Sequence, residues 1–315
     1  MFGRAENYRR EWSVAAVLGA LLVLLAIIAP RFFRAAELVP TLTAAAPLLI
    51  VACGMSLVIL SREIDISVGS QFAWCSVTAG VLVHAHCPMA LATAGAIAAG
   101  AVFGAFNGAM VSWLRLPSIV VTLATMVTWR EALRWWREGE FVRDLPDRFQ
   151  WFGFSQGAGE ATVLASAAVL FLALVFFLKH LAAGRYVYAV GSDAEAARLA
   201  GINPRWVTFA VFTAMGALTG LAAMLNAVRF SDVDPKTGTG LEFQAIAAVV
   251  VGGVSISGGK GNLWGVLAGV LLLACIAPAL VFLHLPPEWE RALQGCIILA
   301  AVASDAWRPA KMRTA

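Results

Sequence analysis

The chain has 315 residues, of which 60% are hydrophobic and 13% charged, whereas a soluble domain averages roughly 45–50% apolar and about 25% charged. That balance excludes an ordinary soluble enzyme and points to an integral membrane protein. The net charge of +4 suits a chain with one face toward anionic lipid. With no basic run interleaved with aromatics outside the apolar segments, it leaves no footprint for nucleic acid.

Apolar runs of spanning length, about 17–25 residues each, fall at 12–29, 41–60, 68–87, 89–114, 117–135, 161–178, 206–228, 241–257, 263–283 and 289–306. They predict an all-α integral membrane protein of about ten transmembrane helices, a single domain over 1–315 with both termini on one side. The first run follows Arg4, Arg9 and Arg10 but is long for a signal-peptide core. It ends at Pro30-Arg31 without a small-x-small cleavage site, and is read as a retained span. The third run begins at the polar stretch SREIDISVGS (61–70), and the eighth is Gly-rich, which predicts a broken or re-entrant segment there.

Orientation follows from Lys and Arg near the span ends. The cluster Arg308, Lys311 and Arg313 and the basic stretch 179–205 put both termini in the cytoplasm, against a counter-pull from the arginines of 130–148. The segment 136–160 is then an outer loop, either meeting an external partner or lying solvated on the headgroups. Trp113, Trp129, Trp206 and Trp264 fall near span ends, where indoles favour the interface; Trp74 sits inside a span and is read as packing.

Within the spans, Gly100, Gly104 and Gly108 form two successive GxxxG units on one face, the signature of close helix packing. Gly216 with Gly220, and Gly265 with Gly269, repeat it. Asn107, Asn226, Gln244 and Gln294 suit interhelical hydrogen bonds, with translocation lining as their second reading. Asp65 is different, because an acid near the membrane is costly and is a functional-site hypothesis by default. The competing reading is a wet capping residue at a span start. The stretch TGTGLEFQAIAAVVVGGVSISGGKGNLWG (237–265) superficially resembles a phosphate loop. It fails the GxxxxGK[ST] test, since five residues separate Gly253 from Gly259 and Gly261 follows Lys260. Its glycines fit a bent helix, tolerated at membrane depth only beside protein or a water-filled cavity, so this stretch is a candidate pathway lining.

No catalytic grouping and no metal site is expected: His84, His86, His180 and His284 are too scattered. The five cysteines (Cys53, Cys75, Cys87, Cys275 and Cys296) have no CxxC spacing and are read as buried free thiols.

One polar island interrupts all this, KHLAAGRYVYAVGSDAEAARLAGINPR at 179–205. Ser192 with Glu195 reads as a capping box, and Gly201 followed by Asn203-Pro204 as the stop. The helix between them, about two turns, is too short to persist alone. Faced with Ala196, Ala197, Leu199 and Ala200, it should dock into a soluble partner.

Four stretches together resemble one family: IDISVGS (64–70), LRLPSIVVTLATM (114–126), GRYVYAVGSDAEAARLAGIN (184–203) and TGTGLEFQAIAAVVVGGVSISGGKG (237–261). They look like the membrane permeases of bacterial ATP-driven (ABC) importers for simple sugars, the ribose-type branch, with spacing most like the rhamnose and autoinducer-2 permeases. The resemblance spans residues 10 to 306. It implies a protein of the bacterial inner membrane, translocating a monosaccharide or similar solute. It further implies a cytoplasmic ABC ATPase, a periplasmic or lipid-anchored sugar-binding protein and a second permease, identical or related. ATP would be used by the partner, with no cofactor bound directly. Residues 195–203 would form the ATPase-coupling helix, with Glu195, Ala196, Ala197, Arg198, Leu199 and Gly201 on it and Ser192 before it. Asp65, Ser67 and Gly69 match one family motif and Gly252, Gly253 and Ser255 another, and with Asn107 they are expected to shape a gate or pathway. The competing class is an ion-coupled secondary transporter or channel, for which Asp65 is almost the only intramembrane acid in view.

Overall fold

The computed structural model describes residues 3–283 without a break, with side chains from Val14 onward, then 285–286, 288–289, 292–296 and 299. The expected tenth span at 289–306 falls mostly outside the described residues, as do His284, the cluster Arg308, Lys311 and Arg313, and the side chains of Arg4, Arg9, Arg10 and Trp12.

Twelve α-helices are described: α1 Gly3–Ile28, α2 Ala35–Leu60, α3 Val68–His84, α4 Met89–Ser112, α5 Ser118–Arg137, α6 Gln156–His180, α7 Ala182–Ser192, α8 Ala194–Leu199, α9 Pro204–Ala227, α10 Leu241–Val251, α11 Leu263–Ala274 and α12 Ile276–Phe282. Among the described residues, α2, α4, α6, α9 and the α11–α12 run Leu263–Phe282 are long and apolar enough to cross a membrane. α5 has the length, but its last turns carry Arg130, Glu131, Arg134 and Arg137. The eighth expected span is a helix of 11 residues, about 16 Å at 1.5 Å per residue. It stops at Gly252-Gly253, where Gly253 takes φ +89°, and the chain continues as a loop to Asn262.

α2 is the axis of the bundle. From Ile50 to Leu60 every residue is buried, and its neighbours are α9, α6, α11, α10 and α7. A helix apolar on all sides belongs in such an interior position.

The tightest packing is between α4 and α9. A Cβ placed on Gly100 would run into the Gly216 carbonyl, one on Gly104 into the Phe212 carbonyl, and one on Gly220 into the Ala96 carbonyl. The helices meet backbone to backbone, which small residues permit and any larger one forbids. The repeated-glycine pattern is thus an intrachain seam. Gly269 likewise lies on the Ala248 carbonyl of α10, and Gly252 on the Gly265–Val266 backbone, folding α10 and α11 into a close hairpin.

Trp74 is indeed packed, donating its indole N–H to the Trp129 carbonyl at 2.8 Å and stacking on Trp136. The segment 136–160 is pinned to the bundle at a few points while most of its residues stay exposed. Val142 pairs with Val233 in an isolated bridge, Trp151 N–H donates to the Val228 carbonyl at 2.7 Å, and Phe149 is buried. Of the cysteines, Cys53, Cys75 and Cys275 are buried free thiols, Cys87 is half-buried, and Cys296 is exposed, contrary to expectation.

Candidate functional site

The polar island contains two helices where the sequence suggested one. α7 runs through Ser192, so Ser192 is its last residue and cannot cap α8. The cap is Asp193, extended at φ −158° and ψ 105°. Its Oδ1 accepts from the backbone N–H of Glu195 at 2.9 Å and of Ala196 at 3.0 Å. The expected capping box is therefore replaced by an Asp cap, and Glu195 turns the other way. Its carboxylate takes both Nε, at 3.0 Å, and an Nη of Arg198, and that pairing holds the Glu195 carboxyl below the usual carboxylate range.

The stop is as expected. Gly201, at φ +84°, donates to the Arg198 carbonyl and Ile202 to the Ala197 carbonyl, each at 3.0 Å, which is a Schellman closure. Asn203 then caps α9 by accepting from Arg205 N–H. Ala197 is buried against the chain, while Ala196, Leu199 and Ala200 are uncovered, Leu199 at 77% exposure. A capped helix of nearly two turns offering uncovered apolar side chains beside a fixed ion pair is built to be contacted.

The second centre is a buried polar knot. Asp65, Ser67, Gln71 and Asn107 are all fully buried. Asp65 Oδ1 accepts from the N–H of Ser67 at 2.9 Å and from its hydroxyl at 2.6 Å, and Oδ2 accepts from Gln71 Nε2 at 3.1 Å. Ser67 Oγ in turn accepts from Gln71 Nε2 and from Asn107 Nδ2, each at 2.8 Å. The hydroxyl has spent its one donor and both acceptor sites, which fixes both amides and leaves Gln71 Oε1 and Asn107 Oδ1 as buried acceptors without a partner. α5 closes over the same segment: Ser118 Oγ accepts from Ile64 N–H, and Thr122 Oγ1 donates to the Ile64 carbonyl. Asp65 is a buried network member rather than a wet residue, though it accepts from the Ser67 N–H at the start of α3 as a capping Asp would.

Gly69, from the same motif, sits elsewhere. A Cβ there would run into the Glu242 carboxylate and the Gly238 carbonyl and come within 3.3 Å of Arg130 Nη2. Arg130 donates Nη1 to the Thr237 carbonyl at 3.2 Å, while Glu242, only 6% exposed, keeps Oε2 unpartnered. This acid and base face each other across a bare glycine without closing to an ion pair. Sequence reading missed both: they are 112 positions apart and each lies inside an apolar run. The available signal was that charges inside such runs are rare and functional by default.

The second matched motif is at a different place again. Gly252 and Gly253 end α10, and Ser255 N–H donates to the Lys260 carbonyl at 2.9 Å to close a turn over 255–260. That turn lies against the ends of α2 and α7: Gly259 N–H donates to the Leu60 carbonyl at 2.9 Å, and the Tyr188 hydroxyl donates to the Gly261 carbonyl at 3.0 Å. The structure thus unites Asp65, Ser67 and Asn107, puts Gly69 with Arg130 and Glu242, and joins the 252–261 loop to the polar island. Among the described residues no group of three His, Cys, Asp or Glu is placed to hold a metal ion.

Comparison with known proteins places this arrangement in context. The family described as "Branched-chain amino acid transport system / permease component" matches residues 37–302. The ribose import permease protein of Escherichia coli strain K12 is 36% identical over 293 residues, covering 91% of each chain. The autoinducer 2 import system permease protein of Salmonella typhi is 32% identical over 300 residues, 95% of this chain and 86% of its own. Its namesake from Yersinia pseudotuberculosis serotype O:1b is 33% identical over 300 residues, 95% and 85%. No solved structure matches the chain.

Proposed function

The chain belongs to the family of branched-chain amino acid transport system permease components, and on that footing we propose that it is the transmembrane permease subunit of an ATP-driven importer. Its cargo is a monosaccharide or similar small polar solute, carried across the bacterial inner membrane. Relatives named for ribose and for autoinducer 2 support a small polar cargo.

The observation that carries the mechanism is α8. A permease without a nucleotide site of its own must take its energy from a cytoplasmic ABC ATPase. A capped, exposed turn of helix with Leu199 uncovered and Glu195 paired to Arg198 suits insertion into such a partner. α8 then faces the cytoplasm, as do both termini, in a bundle of about ten helices. A periplasmic or lipid-anchored binding protein delivers the solute from the other side, and a second permease, identical or related, completes the pathway. Closure of the ATPase pair on ATP displaces the docked helices and switches the bundle between outward and inward openings. Asp65, Ser67 and Asn107 contribute to the pathway or its gate, and Gln71 Oε1 and Asn107 Oδ1 are acceptors suited to a hydroxylated solute. Gly69 with Arg130 and Glu242 shapes the pathway farther along, while Gly252, Gly253 and Ser255 shape its inner end.

The test is a mild-detergent pull-down of tagged protein from its native membranes. The expected result is a co-purifying cassette ATPase that Glu195→Lys releases while the permease still inserts. Protein that comes alone and catalyses gradient-dependent transport in liposomes overturns the reading in favour of an ion-coupled carrier.

A further inference from the structure

A tight joint fastens the polar island to the end of α2 and to the 252–261 loop. The turn 255–260 is wedged between the last turn of α7 and the last turn of α2. On the α2 side, Gly259 N–H donates to the Leu60 carbonyl at 2.9 Å. A Cβ on Gly258 would lie 2.8 Å from Arg62 Cβ. On the α7 side, the Tyr188 hydroxyl reaches the Gly261 carbonyl at 3.0 Å, a Cβ on Gly258 would lie 2.6 Å from the Gly191 carbonyl, and one on Gly259 2.8 Å from Ser192 Cα. A Cβ on Gly191 would itself collide with the Leu60 carbonyl. Three chain segments therefore meet largely through backbone, with only short side-chain atoms, Arg62 Cβ and Ser192 Oγ, beside the glycines and the Tyr188 hydroxyl bridging to Gly261. Gly258 and Gly259 take φ +81° and +68°, which a side chain would strain. Such a contact does not deform gradually, because close-packed backbone transmits displacement.

We propose that this joint is the relay by which displacement of α8 reaches the Asp65 knot, with Tyr188 as its positioning residue. α8 follows α7 with only Asp193 between them, so α7 moves when α8 is moved. The turn carries that movement to Leu60, and Leu60 is five residues from Asp65. α7 also packs on α2 directly and on α6 and α9, and the turn and the Gly191–Leu60 contact both lead to the end of α2. The inference rests on α8 being the ATPase contact.

Hydrogen exchange on the intact importer complex, with a non-hydrolysable ATP analogue against ADP, reads the relay without needing the solute. The expected wild-type result is a nucleotide-dependent change both at 194–199 and at 61–67. In Tyr188→Phe, which removes one hydroxyl, the response at 194–199 persists while that at 61–67 falls about threefold, in line with loss of one neutral hydrogen bond. Gly259→Ala abolishes the second response, and Gly157→Ala, a glycine with open space around it, leaves both intact. A purely structural role for Tyr188 would lower the two responses together and overturns the relay. So does a Tyr188→Phe complex in which both segments respond as in wild type, or a wild type in which only 194–199 responds. A wild type with no response at 194–199 removes the ATPase reading itself.

Discussion

Two glycine-rich contacts in this molecule work in opposite ways. Along the α4–α9 seam, Gly100, Gly104, Gly216 and Gly220 keep helical geometry and simply lack a Cβ, so two long helices lie backbone on backbone. In the 252–261 loop, Gly253, Gly258 and Gly259 are needed for positive φ as well, and they make a turn that touches two other segments. The seam is a fixed wall repeated over several turns; the loop is a single articulated contact. A protein that must move under load needs both, and the same residue type supplies them by different properties.

Substitutions sharpen that distinction. The largest effect is expected from Gly104→Ile, which forces a branched side chain into the Phe212 backbone. Overpacking costs about 1–3 kcal/mol when side chains can yield, and here only backbone opposes it, so the protein is expected to lose its monodisperse peak in detergent size-exclusion chromatography. Asp65→Ala comes next. It strands the Ser67 N–H, the Ser67 hydroxyl and one Gln71 amide hydrogen in a buried site at about 1–3 kcal/mol per orphaned group, and thermal unfolding in detergent should fall by several degrees with solute uptake lost. Asp193→Ala removes the observed cap of α8, worth about 1 kcal/mol. ATPase retention in the pull-down should drop, while Ser192→Ala should leave it unchanged; the reverse outcome would restore the capping-box reading. Gly240→Ala is a pure test of backbone conformation, since φ is +85° with nothing within 4 Å, and it should cost about 1–2 kcal/mol, read as a small thermal shift.

Close packing along Gly100, Gly104 and Gly108 was legible from spacing, but GxxxG spacing does not name its partner, and that the seam is α4 on α9 within one chain came from the structure. The existence of α8 and its stop at Gly201 were legible too. The position of its cap was not: Ser192 and Asp193 are both good capping residues, and the choice turned on α7 extending through Ser192. α7 itself escaped notice because KHLAAGRYVYAVGS reads as a polar connection, and its helical form depends on packing against α6, α2 and α9. The Asp65 knot was half visible. Asp65, Ser67 and Asn107 were each singled out, but Gln71, one turn into the expected third span, was not. Arg130 and Glu242 belong to a long-range meeting that no local pattern encodes. The eighth run looked Gly-rich and broken, and it is: the chain ends α10 at Val251 because two glycines come next.

The central position of α2 has a consequence for how the protein is made. In a chain inserted from its N-terminus, α2 enters the bilayer before α6, α9, α10 and α11 have been synthesised, so the helix later enclosed on every side first waits in lipid. Its polar side chains are suited to the wait. Thr43 donates to the Val39 carbonyl at 2.8 Å and Ser56 to the Ala52 carbonyl at 2.7 Å, each bond closed within the helix itself. Neither hydroxyl needs a later helix to be satisfied, so the core of the bundle can be laid down first and built around.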